Sequence, residues 1–385
     1  MSAKKLGEIC NIQSGGTPSR TCNEYWKNGI IPWVKISDFK GKYLKTTDEC
    51  ITEEGLKNSS AKIFPKGTIL YTIFATLGEV SILDIEATTN QAIAGLQIID
   101  KQVLSDYLYY YLLSLKDFVN NLGRGVAQNN INMKIIKNLE VPVPTPKDQE
   151  KIAEILGRVS NLIDLRKKQL SKLDELVKSR FVEMFGDPVT NEKNWLRLTL
   201  GDICEIGSSK RVFEKDYVPS GIPFFRTKEI VELSKGNPIS TELFITEEHF
   251  AELENSYGTP KKDDLLISAV GTIGTIWIVS GDFEFYFKDG NLIRIKASPN
   301  FNSIFMKYLL GELIDNYKKE MSTGTAYSAL TIVGLKKMLV YDVPLVLQEQ
   351  FATFVEQVDK SKIEVKESLE KLETLKKALM QEYFG

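Results

Sequence analysis

The sequence predicts an α/β (α+β) protein written twice. Two copies of one mixed domain, with pseudo-twofold symmetry, are joined by two long antiparallel coiled-coil helices. Three observations carry this expectation: an internal repeat near half the chain length, the same order of strand and helix signals in each copy, and a heptad run closing each copy.

The repeat comes first. Leu6-Gly7-Glu8-Ile9-Cys10 returns as Leu200-Gly201-Asp202-Ile203-Cys204, and Thr76-Leu77-Gly78 as Thr272-Ile273-Gly274. Gly125-Val126-Ala127 returns as Gly324-Thr325-Ala326, and Val141-Pro142-Val143 as Val343-Pro344-Leu345. Phe185-Gly186 matches Phe384-Gly385. The order is kept and the offset drifts only by small insertions. One repeat at this period means duplication, since solenoid units are far shorter.

Each copy opens with a mixed segment, 1–145 and 187–345. Apolar runs at 68–74 and 265–270 read as buried strands. A helix follows at 104–118 and 303–317, then a Gly/Thr/Asn loop at 123–130 and 323–328. A short helix and a strand ending in Val-Pro close the segment. The aromatic run 107–111 reads as helix core, because Phe305 and Tyr308 recur at the matching place.

The spacer segments, 146–186 and 346–385, are each one long helix. Apolar residues step by threes and fours through Ile152, Leu156, Val159, Ile163, Leu170, Leu173 and Val177. The second seam runs through Val355, Val358, Val365, Leu369, Leu372 and Leu379. Such a stripe must be buried, and the matching copy is the natural partner. At ~1.5 Å per residue each helix is roughly 50–55 Å long. Arg166, Arg180, Lys362 and Lys376 interrupt the seam and either set register or face acidic groups on a further helix. Antiparallel pairing would place the domains at opposite ends of a rod.

Composition removes several function classes. Apolar residues make up 43% and charged residues 26% of the 385, ordinary for a soluble globular protein. No apolar run reaches the roughly 18 residues of a membrane helix. No secretory signal is legible after Met1, so a reduced, cytoplasmic setting is expected. The four cysteines form no C-x-x-C pair, and the one histidine, His249, beside Glu247 and Glu248, reads as an exposed helix residue. Metal ligation and histidine acid–base chemistry are therefore not expected. There is no G-x-x-x-x-G-K-[ST] phosphate loop, no [DN]-P-P-[YFW] tetrad and no G-x-G-x-x-G fingerprint. The net charge of −2 divides into +2 over residues 1–145, +2 over 146–185, −4 over 186–345 and −2 over the remainder. Charge alone thus gives no evidence for nucleic-acid binding; positive groups would have to be focused locally or supplied by a partner.

Against that background a resemblance carries weight. Leu6-Gly7-Glu8-Ile9 with Ser14-Gly15-Gly16-Thr17-Pro18-Ser19, Ile31-Pro32-Trp33-Val34, Asn90-Gln91-Ala92-Ile93-Ala94-Gly95, and Val141-Pro142-Val143-Pro144 followed by Asp148-Gln149-Glu150 stand in this order. With the doubling and the helices ending in Phe-Gly, the whole chain resembles the specificity (S, HsdS) subunit of Type I restriction–modification systems. The second copy departs from these motifs. Gly207-Ser208-Ser209-Lys210-Arg211 replaces the Gly-Gly-Thr-Pro loop, and Lys288-Asp289-Gly290-Asn291 replaces Asn-Gln-Ala-Ile.

The resemblance implies two target recognition domains, each reading one half of an asymmetric split site in double-stranded DNA. It implies a non-catalytic chain that docks two methylation (M) subunits, with restriction (R) subunits added for cleavage. S-adenosylmethionine, ATP and Mg would sit on those partners, and no cofactor on this chain. The rod would then act as a ruler, since DNA advances ~34–36 Å per turn. The alternative is a coiled-coil scaffold that binds no DNA.

Base reading needs side chains with paired donors and acceptors, Arg for guanine and Asn or Gln for adenine. In the first domain the candidates are Ser14, Thr17, Ser19, Arg20, Lys35, Asn90, Gln91, Arg124, Gln128, Asn129 and Asn130. In the second they are Ser208, Ser209, Lys210, Arg211, Arg226, Lys228, Thr323, Thr325, Tyr327 and Ser328. The plainer reading is that Gly, Thr and Asn serve turns and caps here, with Asn132 as a helix N-cap.

Overall fold

The computed structural model describes residues 2–123, 131–281, 283–322 and 329–385. It divides into two compact units. One holds residues 1–167 and 367–385, the other 168–366. Each unit therefore contains a mixed domain, part of the helix that follows it, and part of the other long helix.

In the first unit, short apolar runs build a five-stranded sheet. Its order is Cys10–Ser14, Ile93–Ile98, Ile69–Thr72, Val80–Leu83 and Tyr43–Leu44. The strands Ile69–Thr72 and Val80–Leu83 are buried along their length, as expected for sheet-interior strands. A three-stranded sheet sits beside it, with Ile31–Val34 antiparallel to Glu49–Ile51 and parallel to Thr88–Thr89. Ser2–Lys5 pairs with Glu140–Val143.

The second unit repeats this plan. Ile206–Gly207, Leu292–Ile295, Leu265–Ser268 and Ile276–Ile278 form the larger sheet, and Phe244–Ile245, Ile222–Phe225 and Tyr286–Phe287 the smaller. Leu196–Thr199 pairs with Leu339–Asp342. The periphery differs. An eight-residue helix, Thr227–Ser234, stands where the first unit has a single turn, Ile36–Asp38, and the strand Tyr43–Leu44. The expected helix 104–118 is two helices, Ser105–Ser114 and Lys116–Gly123. The break coincides with Lys116 packing on Gly78 and pairing with Glu79. Its counterpart Ser303–Ser322 is continuous. His249 is half-buried, not exposed, because its helix Glu247–Tyr257 packs through Phe250 and Leu253 on the smaller sheet.

Both long helices, Pro146–Phe185 and Leu345–Phe384, are unbroken. Within each unit their segments run antiparallel. In the first, Lys167 pairs with Glu373 and Arg166 reaches Ser368, while Ile152, Leu379 and Phe384 pack against the domain core that holds Leu156. In the second, Asp174 pairs with Lys362, and Phe181 and Phe185 pack on Phe351. The acids facing Lys362 thus come from the same chain, Asp174 from the other long helix and Asp359 from its own. A buried glutamine fixes each helix to its domain. Gln149 accepts from Leu104 N and donates to Gln102 O and Pro144 O; Gln348 accepts from Asn302 N and donates to Val343 O and Asn300 O. The Phe-Gly ends also belong to domain cores. Phe384 stacks edge-on against Tyr107 and Tyr111, and Phe185 against Phe305. All of Tyr107, Tyr109, Tyr110 and Tyr111 are buried, so this run is core and no base-stacking platform. Gly186 takes φ +80°, the left-handed conformation a glycine helix end favours.

Candidate nucleic-acid interface

In the first domain one edge gathers most of the described candidates. The strand Cys10–Ser14 ends opposite Ala94, and the chain then turns through Gly15 and Gly16. Both glycines are forced by contact. A Cβ on Gly15 would meet the side chain and carbonyl of Thr89, and one on Gly16 the side chain and backbone of Ser60. Gly16 N donates to Thr89 O at 2.9 Å, and Trp33 Nε1 to Gly16 O at 3.0 Å, which fixes the turn against the smaller sheet. Thr17 is thereby placed so that its hydroxyl donates to Gln91 Oε1. Asn90 is half-buried and caps its own turn, accepting from Ala92 N.

Arg20 lies over the ring of Trp26 at 3.7 Å and near that of Trp33 at 4.6 Å. Its guanidinium pairs with Glu49 at 2.6 Å, and Lys35 pairs with the same carboxylate at 2.8 Å. The Lys35 ammonium and then the Arg20 guanidinium hold the Glu49 carboxyl below the usual carboxylate range. Ser19 bonds Thr21 and, through its carbonyl, Trp26. Ser14, Thr17, Ser19, Arg20, Lys35, Asn90 and Gln91 thus fall along one rim.

The second domain repeats the rim with other chemistry. Ser208 donates to Leu292 O at 2.8 Å and Ser209 to Phe287 O at 2.6 Å, so both serines hold the loop. Lys210 N donates to Tyr286 Oη at 2.9 Å, while its ammonium lies 5.3 Å from the Tyr257 ring. Arg211 Nε donates to Asp289 at 2.9 Å. Lys288 N donates to Phe225 O, which brings this loop beside Arg226. Arg226 is bound to Glu229, itself 2% exposed, and to Glu242; Lys228 shares Glu242 at 3.4 Å. These carboxylates, Glu229 first, raise the Arg226 pKa further above its ordinary value. Its backbone N–H also donates to Glu229, so that buried carboxylate closes the N-terminus of the Thr227–Ser234 helix.

Arg124, Gln128, Asn129, Asn130, Thr323, Thr325, Tyr327 and Ser328 lie outside the described residues. The residues that follow them are anchored alike: Ile131 N donates to Ile73 O, and Leu330 N to Ala269 O. Asn132 is a helix N-cap, accepting from Ile135 N at 3.0 Å. Those anchors adjoin a feature sequence reasoning missed. Thr72 and Ser268 each brace a tight turn from below, donating to Thr76 O and Thr272 O and accepting from Glu79 N and Thr275 N. The turns expose Phe74 and Val270 at their tips. Only the repeated Thr76-Leu77-Gly78 signalled them. Glu49 and Glu242 were missed as well, because nothing local in the chain marks which acid a distant strand will bring to a cation.

The family model described as Type I restriction modification DNA specificity domain matches residues 1–175 and 192–377. The chain is 33% identical over 267 residues to the Type I restriction enzyme MjaIX specificity subunit of Methanocaldococcus jannaschii. That match covers 63% of this chain and 60% of the relative, so the chain spans under two thirds of the relative's length. It is 28% identical over 191 residues to the EcoR124I/EcoR124II specificity subunit of Escherichia coli, 45% of this chain and 47% of that one. A crystal structure of a Type-I restriction-modification system S subunit from M. genitalium has the same fold, with TM-score 0.56 at 17% identity, over 100% of this chain and 96% of that one. A chain from work on complex assembly and conformational transition of the type I R-M system superposes with TM-score 0.59 at 18% identity, over 100% and 97%.

Proposed function

This chain belongs to the Type I restriction modification DNA specificity family, and on that premise we propose that it reads a split, asymmetric site in double-stranded DNA, one half-site per mixed domain. One observation carries the reading. The two rims are built on the same backbone plan yet bear different polar side chains, Thr17 and Gln91 in one and Arg211 and Asp289 in the other. Shared scaffold with divergent hydrogen-bonding edges is what two different half-sites require.

The rest of the reading concerns partners. The long helices dock two methylation subunits, which supply S-adenosylmethionine and adenine methylation. Restriction subunits supply ATP- and Mg-dependent cleavage. This chain contributes recognition and no catalytic group. Most of the described rim cations already pair with carboxylates, so phosphate neutralisation is shared with the methylation subunits.

Selection from randomised duplex pools, using the full chain with a methylation subunit of the same system, tests the proposal. The expected result is two short motifs separated by a fixed gap. A continuous motif, or no motif with the partner present, would overturn it.

A further inference from the structure

Two side-chain pairs occupy one and the same place in the two domains. Thr88 and Thr89 run parallel to Trp33 and Val34, as Tyr286 and Phe287 run parallel to Phe224 and Phe225. Counting on from these strands reaches Gln91 in the first domain and Asp289 in the second. On the facing strand, Ile12 stands opposite Leu96 and Ile206 opposite Ile295. Leu96 and Ile295 are themselves equivalent, being opposite Ile69 and Leu265. Counting on from there reaches Thr17 and Arg211. The Thr17–Gln91 hydrogen bond and the Arg211–Asp289 ion pair are therefore the same contact, built from different residues.

Each pair orients one exposed reader. The Arg211 side chain is 65% exposed and that of Asp289 18%. Asp289 engages Nε, so the terminal nitrogens keep their N–H donors in a fixed fork. Such a fork matches the two acceptors of guanine, O6 and N7. Gln91 is also exposed, and Thr17 holds its carbonyl oxygen. An amide held that way keeps its N–H donors and one remaining acceptor site, and a donor beside an acceptor matches N7 and N6–H of adenine.

We infer that Arg211 reads a guanine in the second domain's half-site and that Gln91 reads an adenine at the corresponding place in the first. The inference rests on the proposed function and adds residue, base and position to it. Asp289 and Thr17 are positioning residues.

The test uses the full chain with its methylation subunit and randomised duplex pools. Arg211→Ala should reduce one guanine preference from about 5- to 150-fold to near one, and Arg211→Lys, which keeps the charge but lacks the planar fork, should weaken the same preference by less. The first half-site should stay as in the parent. Exchanging the pair in the first domain, Thr17→Arg with Gln91→Asp, should turn one adenine of the first half-site into guanine. The inference is overturned if both Arg211 variants keep every guanine preference. It is equally overturned if they lose affinity with unchanged preferences, because Arg211 then serves only a phosphate. A folded exchange variant, checked by circular dichroism, that still selects adenine at that position also overturns it. If the parent chain yields no split motif, the proposed function fails first, which separates the two failures.

Discussion

Under the larger sheet the two domains solve one packing problem in opposite ways. Leu70 stands opposite Gly95 in the first, and Leu266 opposite Arg294 in the second. A Cβ on Gly95 would strike the ring of Phe64, so an aromatic side chain fills that space. In the second domain Arg294 fills it and pairs with Asp264 at 2.6 Å, their side chains 10% and 3% exposed. Asp264 also accepts from Lys261 N and Ala297 N. The backbone register survives while the side chains beneath it change as a set. Ladder hydrogen bonds and strand alternation specify the frame, and whatever fills the frame is free to vary if it is complete.

The largest expected effect breaks the second solution. Asp264→Ala leaves a buried guanidinium without its partner and should cost the second domain ~3–5 kcal/mol. Hydrogen exchange should show the loss in that domain, with the first domain's core strands protected as before. Equal loss in both would mean that the two cores do not fold independently.

A second comparison concerns the helix ends. Phe185 is fully buried among Phe181, Phe305 and Phe351, whereas Phe384 is half-buried against Tyr107 and Tyr111. Phe185→Ala should cost roughly 3–5 kcal/mol and Phe384→Ala about half as much, measured by urea unfolding. The reverse order would show that the C-terminal helix end matters more to its core than its burial indicates.

The smallest effect sharpens the contrast between rims. Glu49→Gln releases both Arg20 and Lys35, while Glu242→Gln releases Lys228 but leaves Arg226 on Glu229. The slope of log affinity for DNA against log salt should steepen by up to about 2 for the first variant and about 1 for the second. Lowering pH acts on the same pairs. The Glu49 carboxyl titrates below its usual range, so its pairing is intact above that range and is lost as pH falls through the lowered value.

Much of this frame was legible in the chain. The doubled Leu-Gly-[Glu/Asp]-Ile-Cys and Val-Pro motifs marked two domains, and heptad spacing marked both long helices, because both signals are local and periodic. The rim was legible only as a set of donors. Which acid pairs with Arg20, or that Glu242 is brought to Arg226, depends on pairing between segments apart in sequence. The same limit explains Gly95: its contact with Phe64 is set by an isolated bridge between Phe64 and Ala87. The amide-rich loop 124–130, the densest sequence signal, lies outside the described residues and contributes nothing to the comparison.

Mapping methylated adenines across the genome of cells with and without this gene tests the central claim most directly. Two short motifs at a constant gap, methylated only when the gene is present, are the predicted result. Methylation that is unchanged on deletion, or that tracks a continuous motif, would contradict the account.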